Sequence, residues 1–251
     1  MRAIALLLAL LLPVLAWGQP ALDGHNTGTA TSGTTTTFTA TTTTNPEILI
    51  AVGSVRATGT TNPNLTIAGC SLSWTQLGNA GQFNNGVPKG TGTFVWYAQA
   101  NSNLSACTIT ITSDQTIQNS SGAYCSFSGI NTTNAFDPGA TPATTSTNST
   151  ASSTALTVTQ NTSLAHSTMV VAFGQVSANM GGIGANTGAT LCANVTNSGG
   201  LNFSNAYVVY RQFTAAQTGI AVGANASEPY YNAVGTALTA DAPAGHSRLI
   251  Q

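Results

Sequence analysis

Charge is what this chain lacks most. Only 4% of its 251 residues are Asp, Glu, Lys or Arg, and the formal net charge is −1. Nucleic-acid binding needs clustered Lys and Arg to neutralise phosphates. Beyond Arg2 the cations are Arg56, Lys89, Arg211 and Arg248, scattered along the sequence. That spread excludes a nucleic-acid partner and docking to an anionic membrane surface. Low charge is not a sign of disorder here, because 42% of the residues are hydrophobic and disordered chains combine low hydrophobicity with high charge. Thr, Ser, Asn and Gly replace charges as the solvent-facing residues. Such a surface has little electrostatic repulsion to keep copies apart, so self-association, or association with other extracellular proteins, is expected.

Catalytic constellations are also missing. The acids are Asp23, Glu47, Asp114, Asp137, Glu228 and Asp241, all in turn-like or terminal contexts. Glycoside hydrolysis needs two carboxylates on one cleft, and nothing local pairs these. His25, His166 and His246 are isolated, and no Gly-x-Ser-x-Gly elbow is present. Gly181-Gly182-Ile183-Gly184 has no following helix or Lys and reads as a loop. Asp137-Pro138-Gly139 is a turn signature without the carboxylate partners that calcium requires. Asp23-Gly24-His25 reads as part of a polar arm and not as a metal site. No catalytic, cofactor-binding or metal residue is expected, and no cofactor; a secreted hydrolase is a remote alternative.

One long apolar run is present. Met1-Arg2 supplies a positive charge, Ala3 to Leu12 is unbroken Ala, Ile and Leu, and Ala16-Trp17-Gly18 places small residues before Gln19. This is a signal-peptide pattern over residues 1–18, and the run is shorter than the ~20 residues that span a bilayer. A secreted or cell-surface protein beginning at Gln19, with no membrane insertion after cleavage, is expected. Cys70, Cys107, Cys125 and Cys192 fit that address as two disulfides. Of the three connectivities, Cys70–Cys107 with Cys125–Cys192 is expected, because it staples each half-core with one shared link. Candidate N-glycosylation sequons lie at Asn64, Asn103, Asn119, Asn131, Asn148, Asn161, Asn194, Asn202 and Asn225.

Helical periodicity is absent from the mature sequence, and period-2 alternation is common. Ile48 to Val52 is a continuous apolar run, as expected of a strand buried on both faces. Cys107 to Thr112 alternates apolar residues with Thr. The second half then echoes the first. Phe38 to Thr41 leads to Ile50-Ala51-Val52-Gly53-Ser54-Val55, and Leu156 to Thr159 leads to Val171-Ala172-Phe173-Gly174-Gln175-Val176. Val95 to Gln99 is echoed by Val208 to Gln212, and Ile109-Thr110-Ile111 by Ile220-Ala221-Val222. The reading is all-β: an antiparallel, jelly-roll-like sandwich of about ten strands, built from two pseudo-repeated five-strand halves. The halves are 34–134 and 154–240, joined by a Pro/Gly/Ser/Thr-rich crossover at 135–153. They form one sandwich over 34–251, preceded by a free polar arm at 19–33.

The order of a Thr-rich strand, a buried Ile/Val run, Leu72 to Thr75, Val95 to Ala98, a Thr-Ile-Thr-Ile strand and Phe127 to Gly129 resembles jelly-roll or immunoglobulin-like sandwich domains. Those domains occur in bacterial secreted surface proteins and in phage tail or virion structural proteins. The resemblance implies attachment or assembly and carries over no active site. A non-enzymatic structural or adhesive subunit follows, such as an extracellular filament or surface-layer protein assembling by strand addition. The alternative is a carbohydrate-binding module. Its candidate glycan contacts are Tyr230 and Tyr231, expected at a loop tip after Pro229, while Trp74 and Trp96 are expected in the core.

Overall fold

The computed structural model describes residues 18–78, 81–83, 90–140, 143–147, 156–176, 184–185, 188–199, 203–225 and 231–241. Among these the secondary structure is strand only. The first half holds β1 (Ala21–Ala30), β2 (Thr35–Ala40), β3 (Glu47–Ala57), β4 (Leu65–Gly69), β5 (Thr75–Gln76), β6 (Gly81–Phe83), β7 (Thr91–Ala100), β8 (Cys107–Ser113) and β9 (Ile117–Ser128). The second holds β10 (Ala143–Thr147), β11 (Leu156–Thr162), β12 (Thr168–Val176), β13 (Gly184–Ala185), β14 (Thr190–Asn197), β15 (Ser204–Gln212), β16 (Gln217–Asn225) and β17 (Tyr231–Leu238).

Pairing follows a simple rule. In the first half the first strand pairs with the last (β1 with β9), the second with the next-to-last (β2 with β8), and β3 with β7, all antiparallel. A long folded-over ribbon has thus been rolled into two sheets, which is the jelly-roll arrangement. One sheet runs β1-β9-β3-β7-β5, with β6 also on β7, and the other runs β2-β8-β4. The second half repeats this: β10 pairs with β17, β11 with β16 and β12 with β15. Its sheets run β10-β17-β12-β15-β14 and β11-β16-β13.

Three cores separate four layers. Phe38, Leu49, Trp96, Ile109, Ile111 and Tyr124 fill the space between the two sheets of the first half. Val158, Met169, Val171, Phe173, Tyr207 and Val222 do the same in the second half. The two large sheets then pack face to face through Ile48, Ile50, Val52, Phe127, Val170, Ala172, Val208 and Leu238. All eleven residues of β3 are buried, because an inner sheet has a layer on each side. The all-β sandwich expected from sequence is present, but its layering differs. Each half is already a two-sheet roll, and the shared core lies between rolls. The Thr-rich strands β2, β8, β11 and β16 form outer sheets whose other face is wet, as the alternating burial of β2 shows.

Two segments read as irregular are strands. The arm at 19–33 holds β1, which adds to the edge of its own inner sheet beside β9. The crossover at 135–153 holds β10, which takes the same place beside β17. Gly24 and Gly28 let β1 press against the neighbouring outer strand. A Cβ at Gly28 would lie 2.1 Å from the Thr37 carbonyl oxygen, and one at Gly24 2.3 Å from that of Thr41. Asn26 secures the approach by donating from Nδ2 to the Thr39 carbonyl oxygen at 3.0 Å.

The echo between β3 and β12 is real at the level of strands but slips by one residue. Ala51 packs in the outer core of the first half, whereas Ala172, its match by sequence, packs in the central core. Matching by face pairs Ile50 with Val170 and Val52 with Ala172, all in the central core. A single-residue slip inverts every facing, so the Ala-x-Gly-x-Val likeness is compositional.

The central interface is apolar at one end and polar at the other. At the polar end Ser204 donates to the Ser54 carbonyl oxygen (2.7 Å), Ser121 to that of Ser204 (2.6 Å), and Asn232 Nδ2 to that of Thr93 (3.2 Å). Asn197 Nδ2 reaches the carbonyl oxygens of Ala30 (2.7 Å) and Ser120 (3.1 Å). These bonds fix the register of one roll on the other, since a shift would leave buried polar groups unsatisfied.

Candidate functional site

The cysteines pair as Cys70–Cys107, with Cα atoms 5.2 Å apart, and Cys125–Cys192, at 6.4 Å. The first closes the mouth of the first roll between β4 and the start of β8. The second crosses the central core from β9 to β14 and joins the halves covalently. Both are compatible with an extracellular protein.

The mouth of the first roll is where polar chemistry gathers. Three loops meet there: 41–46, 70–74 and 101–106. Cys70, Ser71 and Ala106 adopt left-handed backbone, at φ 57°, 54° and 47°, a conformation that costs energy outside glycine and is concentrated at functional or tightly constrained sites. Beside them lies a cleft of about 480 Å³ lined by Ser71, Leu72, Ser73, Gln99, Asn101 and Leu104. Half-buried Trp74 flanks it on the same loop and donates from Nε1 to the Gly69 carbonyl oxygen at 3.3 Å. Leu104 links cleft to core edge: its N–H donates to Thr42 Oγ1 (2.9 Å), and its carbonyl accepts from Thr42 N–H (3.0 Å).

Under the 41–46 loop sit two carboxyl groups that sequence reading left apart. The β1–β9 register slips between Leu22 and Gly24, so Asp23 is the extra residue of a β-bulge. A bulge re-aims its side chain, and Asp23 accepts hydrogen bonds from Thr43 N–H (2.6 Å), Thr44 N–H (3.1 Å) and the Thr43 hydroxyl. Burial alone would raise the Asp23 carboxyl, but the Thr43 and Thr44 bonds outweigh it and hold it below the usual range. Glu47 opens β3 on the same face as Leu49 and is fully buried. Burial pushes its carboxyl above the usual range, the Thr42 and Ser126 hydroxyls oppose that, and the Asp23 charge adds to it. Neither Glu47 carboxyl oxygen has a hydrogen-bond partner of good geometry.

The second roll carries the counterpart. Asp137 accepts from Ser163 N–H (2.9 Å), the Ser163 hydroxyl (2.6 Å) and Leu164 N–H (2.9 Å), as Asp23 does from Thr43 and Thr44. It accepts further from Gly139 N–H and the Ser167 hydroxyl, both at 2.8 Å. The Asp-Pro-Gly turn read from sequence is therefore the staple that ties the crossover to the β11–β12 loop. Burial would raise the Asp137 carboxyl, but the Ser163 bonds, with Leu164 and Gly139, hold it low.

The other candidates fall elsewhere. Tyr231 is the first residue of β17, paired with Thr147 and Gln175, so it is not at a loop tip; Tyr230 lies outside the described residues. Trp96 is in the core as expected, while Trp74 is only partly buried. Of the sequons, Asn64, Asn103, Asn161 and Asn194 are exposed and Asn131 is half-buried. Asn119 is 1% exposed and donates from Nδ2 to the Gly199 carbonyl oxygen. A glycan does not fit at Asn119 in the folded chain, because β9 lies between packed sheets. Asn148, Asn202 and the Asn225 side chain lie outside the described residues. Asp114 accepts from Asn64 N–H (2.8 Å) and caps a turn. The chain matches no protein-family model, no curated protein and no solved structure.

Proposed function

We propose that the chain is an exported, non-enzymatic structural subunit that associates with copies of itself through its sheet edges. The observation that carries this reading is the chemistry of those edges. The strands at the ends of the four sheets are β1, β5 and β6; β10 and β14; β2 and β4; and β11 and β13. None contains Lys, Arg, Glu or Pro, and Asp23 is their one acid, committed to an internal bond. Soluble monomers ordinarily guard such edges with Lys, Pro or inward charge, because an unpaired edge templates another strand. Here Lys and Pro are absent from every edge. Bulges interrupt β1, β11 and β14, and β5, β6 and β13 are short. That leaves β4 and the stretch of β14 beyond its bulge, with exposed Thr66, Ala68, Asn194 and Thr196, as the open edges.

The polar arm enters this reading in altered form. Since β1 fills the edge of its own sheet, addition to a neighbour requires β14 or β4 as the receiving edge, or exchange of β1 between copies. The test is sedimentation of the chain from Gln19 over a wide concentration range, beside the double variant Asn194→Lys, Thr66→Lys. Concentration-dependent assembly that the variant loses supports edge pairing. A wild type that sediments as a monomer throughout overturns it.

A second reading rests on the cleft beside Trp74. Ser, Asn and Gln side chains next to a half-buried indole suit a sugar ring, which presents hydroxyls on its rim and an apolar face. This moves the carbohydrate-binding alternative from Tyr230 and Tyr231 to Ser71, Ser73, Gln99 and Asn101. A glycan array on wild type and on Trp74→Ala decides it: no hits, or hits that survive the substitution, remove it.

A further inference from the structure

The internal repeat places a carboxyl where its twin has a hydroxyl. Asp23 bonds Thr43 and Thr44 as Asp137 bonds Ser163 and Leu164. The same spacing that carries Thr43 to Ser163 carries Ile50 to Val170 and Glu47 to Ser167, which agrees with the facing of the side chains in the central core. Ser167 is fully buried and donates its hydroxyl hydrogen to Asp137 Oδ2 at 2.8 Å. Glu47, also fully buried, lies close enough to feel the Asp23 charge, and neither of its carboxyl oxygens has another hydrogen-bond partner. A carboxylate has no hydrogen to give; a carboxylic acid has one.

We propose that Glu47 keeps a proton and points it at the Asp23 carboxylate as a hydrogen bond, so that the docking of β1 onto its own sheet is a proton-dependent latch. With the proton in place, the pair closes the bulge of β1 against the first residue of β3. When the proton leaves to solvent, the buried Glu47 carboxylate faces the half-buried Asp23 carboxylate. Among the described residues no cation compensates them from the packed elements. From β9 come Tyr124, whose hydroxyl is engaged with Thr41, and Ser126, which bonds Gly24. From the loops come Thr42, Thr43, Thr44 and Leu104, none titratable. His25, the other titratable group of β1, is exposed and opposite Cys125, on the far face of the sheet. No third His, Cys, Asp or Glu joins the pair to make a metal cluster among the described residues. The latch stands whether or not copies assemble. If they do, the strand it controls is the one available for exchange.

The sign follows from linkage. Holding a proton in the folded state means that this contribution is complete below the ordinary carboxyl range and is lost as pH rises through the folded value. Hydrogen exchange of the 21–30 segment, corrected for intrinsic rates, is to be followed from about pH 5 to about pH 9, where ordinary carboxyls are already ionised. The opening equilibrium of β1 in wild type is expected to rise by up to about tenfold per pH unit above the ordinary carboxyl range, and to level off once Glu47 ionises in the closed strand as well. In Glu47→Gln, which donates at every pH, and in Glu47→Ser, which copies the second roll, it is expected to stay flat. Two serine or glutamine variants guard against one failing to fold. A wild-type segment without pH dependence, or a dependence that persists in both variants, overturns the proposal. So does protection of β1 at high pH by calcium alone, which assigns the site to a cation. Loss of assembly without change in the latch would count only against the edge-pairing reading.

Discussion

Replacing Asp137 by Ala removes the acceptor for five hydrogen bonds, from Gly139, Ser163 N–H, the Ser163 hydroxyl, Leu164 and Ser167. A hydrogen bond to a charged group contributes about 1.5–3 kcal/mol, but these do not add. Ser163 and Leu164 are exposed and regain water when the carboxylate is lost. Ser167 is fully buried, and its hydroxyl keeps only the Leu164 carbonyl oxygen at 3.0 Å. The two donors that water reaches poorly, Ser167 and Gly139, set a net cost of about 3 kcal/mol. In a chain of this size that lowers Tm by roughly 6–12 °C. The pH dependence adds a signature. Because the Asp137 carboxyl is held below its usual value, its contribution is present above the ordinary carboxyl range and disappears as pH falls through the lower folded value. The gap in Tm between wild type and Asp137→Ala should therefore be wide at neutral pH and narrow toward about pH 2–3. Scanning calorimetry across that range is the assay. A shift below about 2 °C at neutral pH, far under what a buried acceptor network supports, or a gap that does not narrow in acid, refutes the reasoning.

Other expectations follow from packing and covalent links. Removing Cys125–Cys192, whose ends are 67 positions apart in sequence, should cost about 4 kcal/mol by loop-closure entropy. Removing Cys70–Cys107, which spans 37, should cost slightly less; urea unfolding of the two Cys-pair-to-Ala variants ranks them. Gly28→Ala should destabilise by about 2–3 kcal/mol, because the new methyl meets the Thr37 carbonyl oxygen. Its hydrogen exchange should rise selectively over 21–30, and a uniform rise would place the strain elsewhere. Phe127→Ala opens a cavity in the central core and should cost about 3–5 kcal/mol, read from the same unfolding curves.

The strands most visible in the sequence are those buried on both faces. Ile48 to Val52 and Val95 to Trp96 declare themselves because each inner sheet needs apolar residues toward two cores. Cys107 to Thr112 shows because one face of an outer sheet is wet. The edge strands β1 and β10 were illegible for the opposite reason. β1 carries Asp, His, Asn and two glycines, and β10 is Ala, Thr and Ser alone. What holds β1 there is backbone pairing and the close approach at Gly24 and Gly28, which leaves no hydrophobic period. The one-residue slip between β3 and β12 was hidden because both strands are apolar throughout, so composition aligned them without regard to facing. The candidate site was the least legible part. Asp23 reads as an arm residue and Glu47 as a turn residue, and only a bulge in β1 brings them together. The sole signal in the sequence that pairs them is the repeat, through the matching of Thr42-Thr43 with Thr162-Ser163.

Electron microscopy of the chain from Gln19, at concentrations where sedimentation shows association, tests the proposal of assembly through sheet edges that lack Lys and Pro most directly. Filaments or sheets with a regular subunit repeat in wild type, and dispersed particles in Asn194→Lys, Thr66→Lys, are the predicted result. Dispersed particles from wild type at every concentration and pH tried, or assemblies unchanged by the two lysines, would contradict it.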